Sequence, residues 1–260
     1  MDLELRGQRA LITGASKGIG RAIAETMAEE GCHLELAARD EAALLRLADE
    51  LRRRHGIEAR AHRADLKNSE EQQRLVAAAG AIDILINNAG SNPPGGIEEV
   101  GEELWRESWD LKVFGYINII RLCFAAMRER GHGVIINVIG MAGERANARY
   151  VLGSAGNAGL MGLTRALGGR SSDFGIRVVG VNPGLIATER ATTMLRGWSQ
   201  SAYGTPERWR EFQESMDLPF GRMGEPREVA DVVAFLASPR SSYVSGTIVT
   251  VDGGSVNRSR

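Results

Sequence analysis

Apolar residues fall in short runs that alternate with longer stretches of helical spacing along the whole chain. Residues 9–13 (Arg-Ala-Leu-Ile-Thr) make a brief apolar run between polar neighbours, the pattern of a buried strand. In residues 18–30, Ile19, Ile23 and Met27 recur at helical spacing and share one face. The same reasoning predicts strands over 33–38, 57–62, 82–87, 133–139, 176–181 and 247–251, and helices over 40–54, 102–130, 151–173 and 225–236. Asp40 is placed to cap the second helix, and Pro226 sits in the first turn of the last. Residues 191–221 mix Trp, Ser, Gly and Pro without clean periodicity, so the stretch from about 189 to 221 reads as a lid or insertion. Strand–helix alternation of this kind implies α/β architecture: a doubly wound parallel sheet of about seven strands with helices on both faces.

Composition narrows the function classes. A length of 260 residues fits one domain spanning 1–260. The net charge of -1 offers no basic surface, so no nucleic acid is expected as a partner. No run of about 20 apolar residues predicts a membrane span. Residues 1–7 carry no secretory pattern, which points to the cytoplasm. Cys32 and Cys123 lie in apolar stretches without ligand spacing, as reduced buried thiols do, and no metal site is expected.

The first strand runs into Thr13-Gly14-Ala15-Ser16-Lys17-Gly18-Ile19-Gly20 and then a helix. In such a turn Gly14 permits the tight bend, Gly18 lets a pyrophosphate approach the backbone, and Gly20 lets the helix pack on the sheet. The helix start then presents N–H groups and a positive dipole end to the anion. Other segments keep company with this loop: Asp65-Leu66, Asn87-Asn88-Ala89-Gly90, Pro183-Gly184, Gly224-Glu225-Pro226, Phe235-Leu236-Ala237-Ser238 and Val251-Asp252-Gly253-Gly254. Together they resemble the short-chain dehydrogenase/reductase family over almost the whole chain. The resemblance implies a Rossmann-type fold and a nicotinamide dinucleotide. It implies that the cofactor is held by Gly14, Ser16, Lys17, Gly18, Ile19 and Gly20, with Asp65 and Leu66 at the adenine. Asn88, Ala89, Gly90, Pro183, Gly184, Ile186 and Thr188 would line the rest of its path. In this family an acid at the end of the second strand favours NAD, whereas a basic residue just after it favours NADP. Here Ala38 holds the acid's place and Arg39 follows, with Lys17 adding a second charge, so NADP is expected. NAD remains the alternative, through Asp40.

The family's mechanism uses a Tyr as proton donor, a Lys four residues on, a Ser thirteen residues before the Tyr, and an Asn on the long preceding helix. Aligned without gaps, these places hold Gly153, Asn157, Gly140 and Lys112. Shifting the register to Tyr150 would place Ser154 at the Lys position and lose the match of Ala158-Gly159-Leu160. The Lys and Asn types are thus exchanged between two helices, and Lys112, Asn157 and Tyr150 are the remaining catalytic candidates. Two absent side chains predict a gap beside the nicotinamide, to be filled by water, a larger ligand, or Met141, Arg145, Arg149, Tyr150 or Tyr203. Restoring all four family side chains is expected to rebuild the usual site.

Three functions fit: an oxidoreductase acting on a carbonyl or alcohol through a non-standard proton relay, a catalytically silent nucleotide-binding subunit, or a non-redox enzyme on the same fold. The substrate would be a small molecule. Gly153, Gly156, Gly159 and Gly162 recur every three residues, a spacing suited to close helix contact. With the resemblance, this implies a homo-oligomer, a tetramer.

Overall fold

The computed structural model describes residues 1–258. One sheet of seven parallel strands runs through it: β1 (Arg9–Thr13), β2 (His33–Ala38), β3 (Ala59–Arg63), β4 (Ile84–Asn87), β5 (Gly133–Val138), β6 (Ile176–Pro183) and β7 (Ile248–Val251). Their spatial order is β3-β2-β1-β4-β5-β6-β7. The order reverses between β1 and β4, where Ile12 pairs with Ile86 on one side and Leu36 on the other. A crevice opens at the carboxyl ends of the strands at such a switch point, and ligands bind there.

Each strand divides its side chains between two apolar layers. Ala10 and Ile12 of β1 join the layer beneath α1 (Gly18–Glu29), α2 (Glu41–His55) and α9 (Pro226–Ala237), with Ile23, Leu47 and Val233. Leu11 turns to the opposite layer, beneath α3 (Ser69–Ala79), α5 (Gly115–Arg130) and α6 (Val151–Gly168), with Leu75, Ile119 and Leu160. Glu35 of β2 is wholly buried; Arg9 (2.8 Å) and Arg60 pair with it from the flanking strands, and His62 hydrogen-bonds it at 2.6 Å.

Several expected elements differ in detail. The sequence pattern missed α3, whose N-cap Asn68 accepts from Glu70 N at 2.9 Å and Glu71 N at 3.2 Å. The helix expected over 102–130 is interrupted: α4 (Glu102–Trp109) passes through a π-helical segment, Asp110–Phe114, before α5 begins. A π segment adds a residue to the turn and rotates the side chains that follow, and this one carries Lys112 inward. The helix expected to reach 173 stops at Gly168, and a 3₁₀ turn at Ser171–Phe174 follows. The stretch with no clean periodicity is largely helical: α7 (Glu189–Tyr203), α8 (Trp209–Glu214) and a turn at Pro219–Gly221. Its apolar face is narrow, since only Ala191, Leu195 and Ser199 of α7 are buried.

Candidate active site

The turn from β1 to α1 lies against β4. Asn88 N and Ala89 N donate to the Thr13 hydroxyl at 2.9 and 3.1 Å, and Asn88 Nδ2 reaches the Thr13 carbonyl at 3.1 Å. A β-carbon on Gly20 would collide with the Gly14 carbonyl, so helix and turn meet at a distance only glycine allows. No side chain caps the start of α1, and its first turn holds no acid. These features leave the helix start free for an anion, and the residues fit a dinucleotide pyrophosphate. Lys17 is exposed and lies 3.6 Å from Glu189, while Arg39 is exposed and makes no ion pair among the described residues.

The other cofactor candidates take up defined places. Asp65 Oδ1 accepts from Lys67 N at 3.0 Å, and the Leu66 carbonyl accepts from Gln72 Nε2 at 2.6 Å. Gly184 lies so close to Asp252 that a β-carbon would come within 2.7 Å of the Asp252 side chain. Ile186 is buried and bridges to Gly224. The Thr188 hydroxyl accepts from Ala191 N at 3.2 Å, so it caps α7 in this conformation. Its methyl group faces Gly18 across the crevice.

Gly140 and Gly153, expected to stand at the family's Ser and Tyr positions, are both shaped for glycine. Gly140 has φ 128° and ψ 142°, a backbone state that side chains avoid. Gly153 is buried, and a β-carbon there would run into the Tyr150 ring at Cε1 and Cζ. Tyr150 is therefore the neighbour that takes up the expected gap. Its hydroxyl accepts from Arg190 Nη2 at 3.1 Å. Met141, Arg145 and Tyr203 lie elsewhere: Met141 Sδ faces Gly184, Arg145 donates to the Ser255 carbonyl at 2.8 Å, and the Tyr203 ring meets Phe212. These facts correct the expectation of a simple rebuild, because serine at 140 would be strained and tyrosine at 153 would have to displace Tyr150.

Lys112 and Asn157 hold two consecutive carbonyls at the end of β5. Lys112 Nζ donates to Ile139 O at 2.6 Å, and Asn157 Nδ2 donates to Gly140 O at 3.2 Å. Lys112 is buried, with its stem filling the space a side chain on Gly90 would need. Burial, helped by the nearby Arg190 charge, lowers its ammonium pKa to about 7. Asn157 Oδ1 is buried without a hydrogen-bond partner. Gly140 N donates to Asn182 Oδ1 at 3.2 Å, and Asn182 Nδ2 in turn donates to Glu144 Oε1 at 3.0 Å.

Sequence reasoning missed Arg190 altogether. It is the second residue of α7, two positions beyond Thr188, at the edge of the stretch that gave no periodic signal. The available clue was that a cation stood two residues beyond the threonine expected at the nicotinamide.

A glycine turn feeding a helix start at the switch point of a parallel sheet defines a dinucleotide-binding α/β protein. The family model described as enoyl-(acyl carrier protein) reductase matches residues 14–256. A 3-oxoacyl-[acyl-carrier-protein] reductase of Vibrio cholerae is 32% identical over 97% of this chain and 98% of its own length. The 7alpha-hydroxysteroid dehydrogenase of Escherichia coli K12 is 32% identical over 98% and 96%. The solved structure of L-sorbose reductase from Gluconobacter frateurii, in complex with NADPH and L-sorbose, superposes with a TM-score of 0.92 at 31% identity and covers 100% of both chains. The chain belongs to the short-chain dehydrogenase/reductase family of nicotinamide-dependent oxidoreductases. No helix among the described residues is long and apolar enough to cross a membrane, and they contain no cluster of metal ligands.

Proposed function

We propose that the protein is an NADP(H)-dependent oxidoreductase interconverting a carbonyl and an alcohol, with Tyr150 as its proton donor. The observation that carries this reading is the place of Tyr150. Its ring occupies the start of the side-chain path from Gly153, and its hydroxyl is held in the crevice by a cation. The dinucleotide, when bound, supplies the hydride. The glycine turn and the open start of α1 would hold its pyrophosphate, and Arg39, which has no ion-pair partner among the described residues, would meet the 2′-phosphate. Asn157 Oδ1 is a buried acceptor in want of a donor, and a ribose hydroxyl would satisfy it where the family uses Lys. Residues 189–221 act as the lid over this crevice, and Tyr150 delivers its proton to the substrate oxygen beneath it.

The test is direct. The protein is titrated with NADPH and NADH by fluorescence, and NADPH oxidation is followed with an activated ketone such as trifluoroacetophenone. Tyr150→Phe is expected to cut turnover about 100-fold, the lower end of general acid catalysis, with NADPH affinity intact. A Tyr150→Phe variant as fast as the parent would overturn the role of Tyr150. Tight NADPH binding without any turnover would leave the silent nucleotide-binding subunit as the function.

We further propose a homotetramer in the cytoplasm. Gly159 and Gly162 face open space on α6, and Phe114 is exposed, which suits helix-to-helix contact between copies. The two free, buried cysteines suit a reducing compartment. Light scattering showing a monomer at micromolar concentration would refute the assembly.

A further inference from the structure

Arg190 enters the site from α7 and ties three separate segments together. Its Nη1 donates to the Gly90 carbonyl at 2.9 Å, and its Nη2 donates to the Asn92 carbonyl at 3.0 Å and to the Tyr150 hydroxyl at 3.1 Å. The segments bearing Asn92 and Tyr150 are also joined through their backbones. Gly95 N donates to Arg149 O at 2.8 Å, and Val151 N donates to Gly95 O at 3.2 Å. The main chain on both sides of Tyr150 is therefore anchored to Gly95, while the Tyr150 oxygen itself is held by Arg190.

A guanidinium has five N–H donors and no acceptor. Towards Arg190 the tyrosine oxygen accepts only, so its own proton points away from Arg190. Among the described residues no other cation hydrogen-bonds the Tyr150 hydroxyl: Lys112 Nζ is committed to Ile139 O, and the residue at the family's Lys position, Asn157, is neutral. We infer that Arg190 is the positioning residue of this site, aiming the Tyr150 proton at the substrate oxygen and supplying the positive charge beside the phenolate that remains. The inference rests on Tyr150 being the proton donor. In the reducing direction the carbonyl carbon gains a hydride from the reduced nicotinamide, and its oxygen takes the Tyr150 proton, giving the alcohol. The Tyr150 phenolate then recovers a proton from water, and Arg190 is unchanged. Because the cation comes from α7, the proton donor is fully organised only when α7 is docked on the crevice.

The experiment uses the full chain, NADPH and trifluoroacetophenone, with Tyr150→Phe, Arg190→Ala, Arg190→Lys and the Tyr150→Phe/Arg190→Ala pair. Circular dichroism checks that each variant folds. Arg190→Ala is expected to lower kcat about 100-fold, the lower end for a lost charge-stabilising donor, with NADPH affinity unchanged. Low millimolar guanidinium chloride should restore part of the lost rate, and methylammonium should not. Arg190→Lys should recover little, since a single ammonium lacks the planar fork with which the guanidinium meets its three acceptors. The double variant should be no slower than Tyr150→Phe alone, because the two residues act as a unit. Loss of activity in Tyr150→Phe with parental kcat in Arg190→Ala would overturn the inference and leave the role of Tyr150 standing. So would a loss in Arg190→Ala that guanidinium does not restore and that adds to the Tyr150→Phe loss, the behaviour of a merely structural clamp. A parent chain that binds NADPH and turns over no ketone would remove the proposed reaction first, and this inference with it.

Discussion

Replacing Lys112 by methionine is expected to stabilise the protein. The lysine is buried, pairs with no carboxylate among the described residues, and spends its amine on one carbonyl, Ile139 O. Its pKa falls from 10.5 to about 7, mainly through burial and then through the Arg190 charge. At about 1.4 kcal/mol per unit, charging this amine inside the fold costs roughly 4–5 kcal/mol at neutral pH and below. Methionine removes that cost and keeps a similar stem against Gly90. It also strands the Ile139 carbonyl, which returns about 1–3 kcal/mol. The balance is a gain of about 2 kcal/mol, or roughly 5 °C in Tm for a chain of this size. The pH dependence gives a second signature. Between about pH 7 and 10.5 the unfolded chain binds a proton at this lysine that the folded chain does not, so the parent gains stability as pH rises, by at most about 1.4 kcal/mol per pH unit from this group. The methionine variant lacks that contribution. Urea denaturation of both proteins at pH 7, 8 and 9 measures both effects. A variant less stable than the parent at pH 7, with the same dependence on pH, would show that the ammonium is solvated or paired and that the reasoning is wrong.

Three other outcomes follow from the geometry. Arg39→Ala should weaken NADPH binding about tenfold, as expected for the loss of a charge-assisted contact, and leave NADH unaffected; equal effects on both in a fluorescence titration would remove Arg39 from the 2′-phosphate. Glu35→Gln should cost roughly 2–3 kcal/mol, below the full range for a broken buried pair because Arg60 is half exposed. Burial pushes the Glu35 carboxyl up, but hydrogen bonds from His62, Arg9 and Arg60 together hold it below its usual range. Its contribution is therefore present above the ordinary glutamate pKa and lost as acid titrates it in the fold, so the parent should lose more stability than Glu35→Gln between pH 5 and about 3, by thermal denaturation. Gly153→Ala should drive the Tyr150 ring out of its place and lower turnover about as much as Tyr150→Phe, roughly 100-fold; a crystal structure with the ring unmoved, or full activity, would refute the packing argument.

The fold was legible because its signals are local. Strands such as β1 and β4 are short apolar runs, and the glycine turn has one structural purpose. Elements with weak patterns were not legible: α3 buries only Gln72, Leu75 and Ala79, α7 sets Ala191, Leu195, Trp198 and Ala202 at helical spacing but among Thr, Ser and Gly residues that mask it, and α8 is only six residues long. The π segment at Lys112 leaves no mark in helical spacing, because it comes from one extra residue in a turn that is otherwise continuous. At the site, matching the family's pattern pointed to Gly140, Gly153, Asn157 and Lys112, and Tyr150 was among several candidates for the gap. Its selection depended on the turn before α6, and its pairing with Arg190 on the approach of two segments 40 residues apart. Neither is written in local spacing.

The glycines of α6 bear on the order in which the molecule assembles. Gly153, Gly156, Gly159 and Gly162 each cost about 1 kcal/mol relative to alanine in a helix. Taken together they remove roughly 4 kcal/mol of intrinsic helicity, more than a helix of this length can muster in isolation. Alpha-6 should therefore condense onto a preformed β5–β6 platform instead of nucleating it, and the hydroxyl on Tyr150 should reach its place late in folding. The same weakness makes its first turn an early point of local opening in the native protein. Amide hydrogen exchange would show this as faster exchange over residues 151–157 than over the buried turns of α5, and equal protection would mean that packing has erased the glycine deficit. Tyr150 and its supporting turn would then come and go as one cooperative unit while the glycine turn on β1 stays formed, so that a chain with Tyr150 displaced still keeps that turn in place.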